Sequence, residues 1–309
     1  MREGPTKSVT DEANLAVRAR PPDQVLSWLL AALGATAVVD VKPMPGGSTS
    51  AMHRVTLLRP TMGPKVVVVR RYVLSDVLAE APDIVMREAT ALRLAAASGV
   101  PTPELLAADP DGHEAGVPTI VMSWVEGRPQ WEAGARHQFI AQVADAMVAV
   151  AAVAICDSDC LRRIERYNQT SYTPPRWATR RRTWERAAEI FHGPVPTSDT
   201  TFVHRDFHPG NVLWSKGRLS GVVDWQAACQ GPSSIDPGHC RLNMLYYDAS
   251  LADELKRAWE QRSGRPFDPW ADVMSIIGVL DNLRAAKNPS RSRLAIEDAL
   301  ARAVSELGG

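Results

Sequence analysis

His204-Arg205-Asp206-Phe207-His208-Pro209-Gly210-Asn211-Val212-Leu213-Trp214 follows a short apolar run, 201–203, and decides how this chain reads. Residues 212–214, the turn Ser215-Lys216-Gly217-Arg218 and residues 219–223 have the composition of a β-hairpin. A hairpin brings its two open ends together, so Asn211 and Asp224 are predicted neighbours. Asp206, Asn211 and Asp224 then offer two carboxylates and an amide oxygen in one place. Phosphoryl transfer uses such a set. One carboxylate positions the attacking hydroxyl and takes its proton, while the other oxygens hold the magnesium ions that bridge the phosphates.

The first part of the chain carries a second set. Gly46-Gly47-Ser48-Thr49-Ser50 lies between two predicted strands, 38–41 and 51–58, and its N–H groups are suited to cradling phosphate oxygens. A third strand, 65–72, runs through Val66-Val67-Val68-Val69 into Arg70-Arg71. The helix predicted over 83–97 places Val85, Glu88, Leu92 and Ala95 on one stripe. An acid on an apolar stripe needs a cation, because burying it alone is costly. Arg70 is the natural partner and Lys65 the alternative.

Around these sets, helix 21–33 opens at Pro21-Pro22-Asp23 and stops at Gly34, and residues 1–20 read as a loose arm. A strand covers 119–124, and Glu126-Gly127-Arg128-Pro129 ends it. Beyond it the pattern is helical over 136–155, 176–191, 240–248, 251–263, 270–286 and 294–307, interrupted by the β segment 202–224. The predicted division is an arm over 1–20, a small lobe over 21–124 and a larger, mainly helical lobe over 125–309.

The 309 residues carry formal net charge +0, so no bulk field draws nucleic acid or an anionic membrane. Four cysteines are too few for a disulfide framework, and His239-Cys240 lacks a second ligand pair for zinc. No leader or membrane-spanning stretch is legible, which points to a cytoplasmic location.

The quoted stretch resembles the protein-kinase-like phosphotransferases, and above all the aminoglycoside phosphotransferase / choline kinase superfamily. Asp206 and Asn211 match the catalytic-loop D-x-x-x-x-N. H-P-G-N after the aspartate and Asp224-Trp225 after the hairpin are similar to that superfamily's usual forms. The resemblance spans roughly residues 35 to 245. It implies a two-lobed, kinase-like α+β fold. The small lobe is an antiparallel sheet with one long helix; nucleotide and magnesium lie between the lobes and the acceptor on the helical one. It further implies ATP or GTP as donor, Mg2+ as cofactor and a hydroxylated small molecule as acceptor. Asp206 becomes the catalytic base, and Asn211 and Asp224 the metal ligands. Gly47, Ser48, Thr49, Ser50, Arg70, Glu88, Met122, Ser123 and Val125 become nucleotide-binding residues, with the backbone of Ser123 and Val125 at the base. His204 and Asp236 brace the catalytic loop. Arg70 departs from the lysine that kinases carry on this strand. A protein Ser/Thr kinase and a nucleotide-binding regulator without catalysis are the rival readings. From residue 226 to the end, 11 acids face 10 bases, too balanced for a polycationic aminoglycoside. Tyr246, Tyr247, Trp259, Phe267 and Trp270 suggest a mixed apolar and hydroxylated acceptor instead. The oligomeric state is not legible.

Overall fold

The computed structural model describes residues 11–44, 49–60, 62–131, 135–156, 161–165, 172–197, 199–285 and 290–308. The chain divides into two compact units, Met1–Arg93 with Pro103–Val125, and Leu94–Thr102 with Glu126–Gly309.

In the first unit, helices α1 (Asp11–Arg18) and α2 (Asp23–Leu33) precede strands β1 (Ala37–Pro43), β2 (Ala51–Arg59) and β3 (Gly63–Arg71). Helices α3 (Ser75–Glu80) and α4 (Ile84–Ala97, which runs on into the second unit) follow, then β4 (Leu105–Asp109) and β5 (Thr119–Ser123). The strands form one sheet in the order β1-β2-β3-β5-β4, with every neighbouring pair antiparallel. Val25, Trp28 and Leu29 of α2 pack on Val55, Leu57, Val67, Val69 and Val121 of the sheet. Removing that apolar surface from water is the main term holding the unit. Residues 11–18 are helical where an arm was expected. The chain just after α1 is anchored, because Arg71 Nη2 donates to the Ala19 carbonyl at 2.8 Å. Strand β4 was not foreseen either. It is short, alanine-rich and follows two prolines, so it carries little β signal.

The second unit holds β6 (Arg128–Pro129), α5 (Arg136–Ala151), α6 (Arg181–His192), β7 (Thr200–Val203), β8 (Val212–Ser215), β9 (Arg218–Val222) and β10 (Cys229–Pro232). It ends in α7 (Ile235–Leu245), α8 (Ala249–Ser263), α9 (Trp270–Gly278), α10 (Leu280–Ala285) and α11 (Ser290–Glu306). Strand β8 pairs antiparallel with β9 and β6, and β7 with β10. Helix α7 begins at Ile235, before the predicted 240, because Pro237 falls in its first turn, where no N–H is required. The single helix expected over 270–286 breaks at Val279 into α9 and α10. Trp225, Trp259, Phe267 and Trp270 are all buried in the core. No helix among the described residues is long and apolar enough to cross a membrane.

Candidate active site

Strand β7 delivers the chain into a turn at Arg205, whose φ is 67°, a left-handed conformation rare for a side chain of that size. This bend points two consecutive N–H groups at one carboxylate. His204 N donates to Asp236 Oδ2 at 2.9 Å, and Arg205 N to Oδ1 at 2.7 Å. Asp236 sits in the first turn of α7, and its burial raises its pKa against the opposing pull of His204 and the two N–H groups. His204 Nδ1 accepts from Asp206 N at 3.3 Å, which places the ring proton on Nε2 for the Val223 carbonyl at 2.9 Å. The imidazole also packs against Trp225, with centroids 4.5 Å apart.

Asp206 is held on both oxygens. Its Oδ2 accepts from Asn211 Nδ2 at 3.1 Å, and the same amide donates to the Asp206 carbonyl at 2.9 Å. Its Oδ1 lies 3.0 Å from His239 Nε2 and 3.8 Å from His208 Nε2. Burial alone would raise the Asp206 pKa, but the His239 hydrogen bond and the surrounding histidines hold it at about 2. His208 folds back over its own turn, Nδ1 accepting from Gly210 N at 3.0 Å. A Cβ on residue 210 would lie 2.5 Å from His208 Cε1, so the glycine makes room for the ring. Burial lowers the His208 pKa.

The hairpin closes as expected. Val212 pairs with Val222, and Val223 N donates to the Asn211 carbonyl at 2.9 Å, so Asn211 stands across from the residue preceding Asp224. Asp224 is left-handed, with φ 70° and ψ 60°, and heads the turn Trp225–Ala227. With the Asn211 Nδ2 committed to Asp206, its Oδ1 is the atom that remains to accept or ligate. An amide oxygen and a carboxylate are hard-oxygen donors, a chemistry that fits magnesium.

In the first unit, Arg70 on β3 and Glu88 on α4 meet as expected. Arg70 Nη1 lies 2.5 Å from Glu88 Oε1, with side chains 3% and 1% exposed. Tyr72 donates its hydroxyl to Glu88 Oε2 at 2.8 Å. Both carboxylate oxygens are therefore engaged without Lys65, which stands at the start of β3 opposite Leu57. Burial and Glu88 push the Tyr72 hydroxyl well above its ordinary pKa. Ser50 is 1% exposed, and its Oγ has no hydrogen-bond partner among the described residues. This orphaned hydroxyl, next to the glycine-rich stretch, is chemistry a phosphate oxygen would satisfy. Thr49 is half-buried, whereas Gly47 and Ser48 lie outside the described residues. Met122 is buried opposite Val68. Ser123 N is committed to the Glu104 carbonyl at 2.9 Å, so that N–H is spent within the unit; Val125 follows β5, half-buried.

Two partners escaped the sequence reading. Tyr72 was legible in principle, since residues two apart on a strand share a face. His239 was weighed only as a zinc ligand, yet it lies one helical turn beyond Asp236. Of the aromatic acceptor candidates, Trp259, Phe267 and Trp270 are core, while Tyr247 is 59% exposed and stacks on Trp131 at 4.8 Å.

Residues 40–270 match the family described as the phosphotransferase enzyme family. An N-acetylmuramate/N-acetylglucosamine kinase of Neisseria meningitidis serogroup B is 30% identical over 119 residues, 34% of this chain and 34% of that protein. The match thus spans about a third of that relative's length. Among solved structures, an aminoglycoside phosphotransferase aligns with TM-score 0.59 at 16% identity, over 93% of this chain and 99% of that one. A macrolide 2'-phosphotransferase of Brachybacterium faecium gives 0.57 at 16%, over 90% and 98%. An amicoumacin kinase in complex with AMP-PNP, Ca2+ and Ami gives 0.58 at 15%, over 97% of each. With the family match covering most of its length, the chain belongs to the phosphotransferase enzyme family.

Proposed function

We propose that the chain is a small-molecule kinase that moves the terminal phosphoryl of ATP, or of GTP, to a hydroxyl with magnesium as cofactor. The observation that carries this reading is a carboxylate held at both oxygens, Asp206, bonded to the Asn211 amide, with the backbone of Asn211 paired to the residue preceding Asp224. Asp206 orients the acceptor hydroxyl and takes its proton as the new P–O bond forms. A carboxylate with a pKa of about 2 is a weak base, so its work is mainly orientation. That suits a loose transition state, in which the nucleophile need not be deprotonated early. Asn211 and Asp224 would hold magnesium, which when bound neutralises charge on the phosphates. Arg70, aligned by Glu88 and Tyr72, and the 46–50 stretch would hold the triphosphate. The ADP and AMP-PNP complexes known for structures of this fold agree with a nucleotide donor.

The acceptor we propose is a hydroxylated molecule with little positive charge. The acids from residue 226 onward are engaged within the protein. Asp236 holds the catalytic loop, Asp272 pairs with Arg241, Asp248 and Glu254 with Arg136, and Glu297 caps α6. A polycationic ligand would have to compete for them. The experiment is a panel of sugars, amino sugars and aminoglycosides incubated with ATP and Mg2+ and read by mass. Phosphorylated neutral or N-acylated sugars are expected. Turnover of aminoglycosides at kcat/KM of about 10⁴ M⁻¹s⁻¹ or more would overturn the acceptor assignment.

A further inference from the structure

We propose that His239 is a positioning residue that fixes the Asp206 carboxylate for the acceptor hydroxyl, an inference that rests on the phosphotransfer reading above. An aspartate side chain has several staggered wells about Cα–Cβ and a broad terminal torsion, so its carboxylate turns about both unless something holds it. Two groups hold this one, Asn211 Nδ2 at Oδ2 and His239 Nε2 at Oδ1. A carboxylate oxygen has two lone-pair sites, so each keeps one for a substrate hydroxyl. The Asn211 bond ties the carboxylate to the hairpin that carries the candidate metal ligands. The His239 bond ties it to helix α7.

That helix is a firm platform. A Cβ on Gly238 would lie 2.8 Å from the Ala271 Cβ and 2.9 Å from its backbone, so α7 and α9 touch at the neighbouring residue. His239 itself is 8% exposed, and its carbonyl accepts from Asn243 Nδ2 at 3.0 Å. One turn earlier, Asp236 grips the main chain at His204 and Arg205. A single turn of α7 thus sets both the backbone and the side chain of the catalytic loop. Functional groups held from rigid elements keep the sub-ångström placement that phosphoryl transfer requires.

The test compares wild type, H239Q and H239L. Glutamine keeps a donor at similar reach; leucine keeps the volume and removes it. Three-bond side-chain couplings of Asp206 report its rotamer without any substrate, and calorimetry with Mg2+ and ADP reports nucleotide binding. We expect one Asp206 rotamer in wild type and H239Q, averaging in H239L, and unchanged nucleotide affinity in all three. With the hydroxyl compound found by the panel, H239L should lower kcat about 10- to 100-fold at constant KM for ATP, and H239Q should recover most of it. A single fixed rotamer in H239L, equal kcat losses in both variants, or a parallel loss of nucleotide affinity would overturn the proposal. Wild type that binds no magnesium nucleotide would instead overturn the phosphotransfer reading, which the rotamer result cannot do.

Discussion

Glu88 is almost wholly inaccessible, and Arg70 and Tyr72 take one oxygen each. Truncating one member of a buried ion pair costs about 3–5 kcal/mol, so Glu88→Ala should lower Tm sharply, while Tyr72→Phe, which removes one donor to the buried carboxylate, should cost about 1.5–3 kcal/mol. If Arg70 also holds phosphate, a double-mutant cycle of Arg70→Lys and Glu88→Gln on kcat/KM should show coupling of about 0.5–3 kcal/mol; additive losses would separate the pair from nucleotide binding. Asp224→Ala should abolish the magnesium dependence of nucleotide binding in calorimetry while metal-free binding persists. Away from the site, burial, and then the charge of Arg71, lower the His53 pKa to about 4. The folded protein therefore binds fewer protons there than the unfolded chain, and the sign follows. His53 costs nothing above its unfolded pKa near 6.5, and stability falls as pH drops from there toward 4. His53→Leu should flatten that loss in melts recorded between those values.

Helix α6 has no side-chain cap of its own. Its first turn is served from another helix. Glu297 of α11 accepts from Thr179 N at 2.8 Å, Arg180 N at 2.9 Å and Trp184 Nε1 at 2.9 Å, and from the Thr179 hydroxyl. Glu297→Ala would strand these donors and should destabilise by about 2–4 kcal/mol in urea unfolding, far beyond an ordinary surface change. Sequence reading starts this helix at 176, five residues early, because a cap 117 residues away leaves no local signal. The β8–β9 hairpin is the opposite case. Its turn chemistry and alternation are local, so the hairpin and the approach of its two open ends are legible in the sequence, whereas the register is not: Ser215 pairs with Arg218 around a tighter turn, and a bulge between Leu213 and Trp214 sets the rest. Helix α7 falls between the two. Its Asp236 was legible through resemblance, but His239 needed the helix to start at Ile235, which the Pro237 signal hid.

Across the whole chain, the β-then-α order and most elements follow from periodicity and punctuation. The misses are α1, α3, β4, β6, β10 and the break at Val279, all short or weakly patterned. Residues whose chemistry is local in sequence, 204–224, are legible as a candidate site. Arg70 and Glu88 were legible as a pair through the cost of burying an acid. The acceptor side was not, because whether an aromatic is core or surface depends on packing. Trp259 and Trp270 went to the core and Tyr247 to the surface. In the proposed mechanism Asp206 serves the acceptor hydroxyl and not the nucleotide. The most direct test of that role is phosphoryl transfer by Asp206→Asn against wild type, with the affinity for magnesium ATP measured on the same samples. A loss of kcat of about 10²-fold or more is expected, with nucleotide affinity intact. Near-normal turnover in a folded Asp206→Asn protein would contradict it.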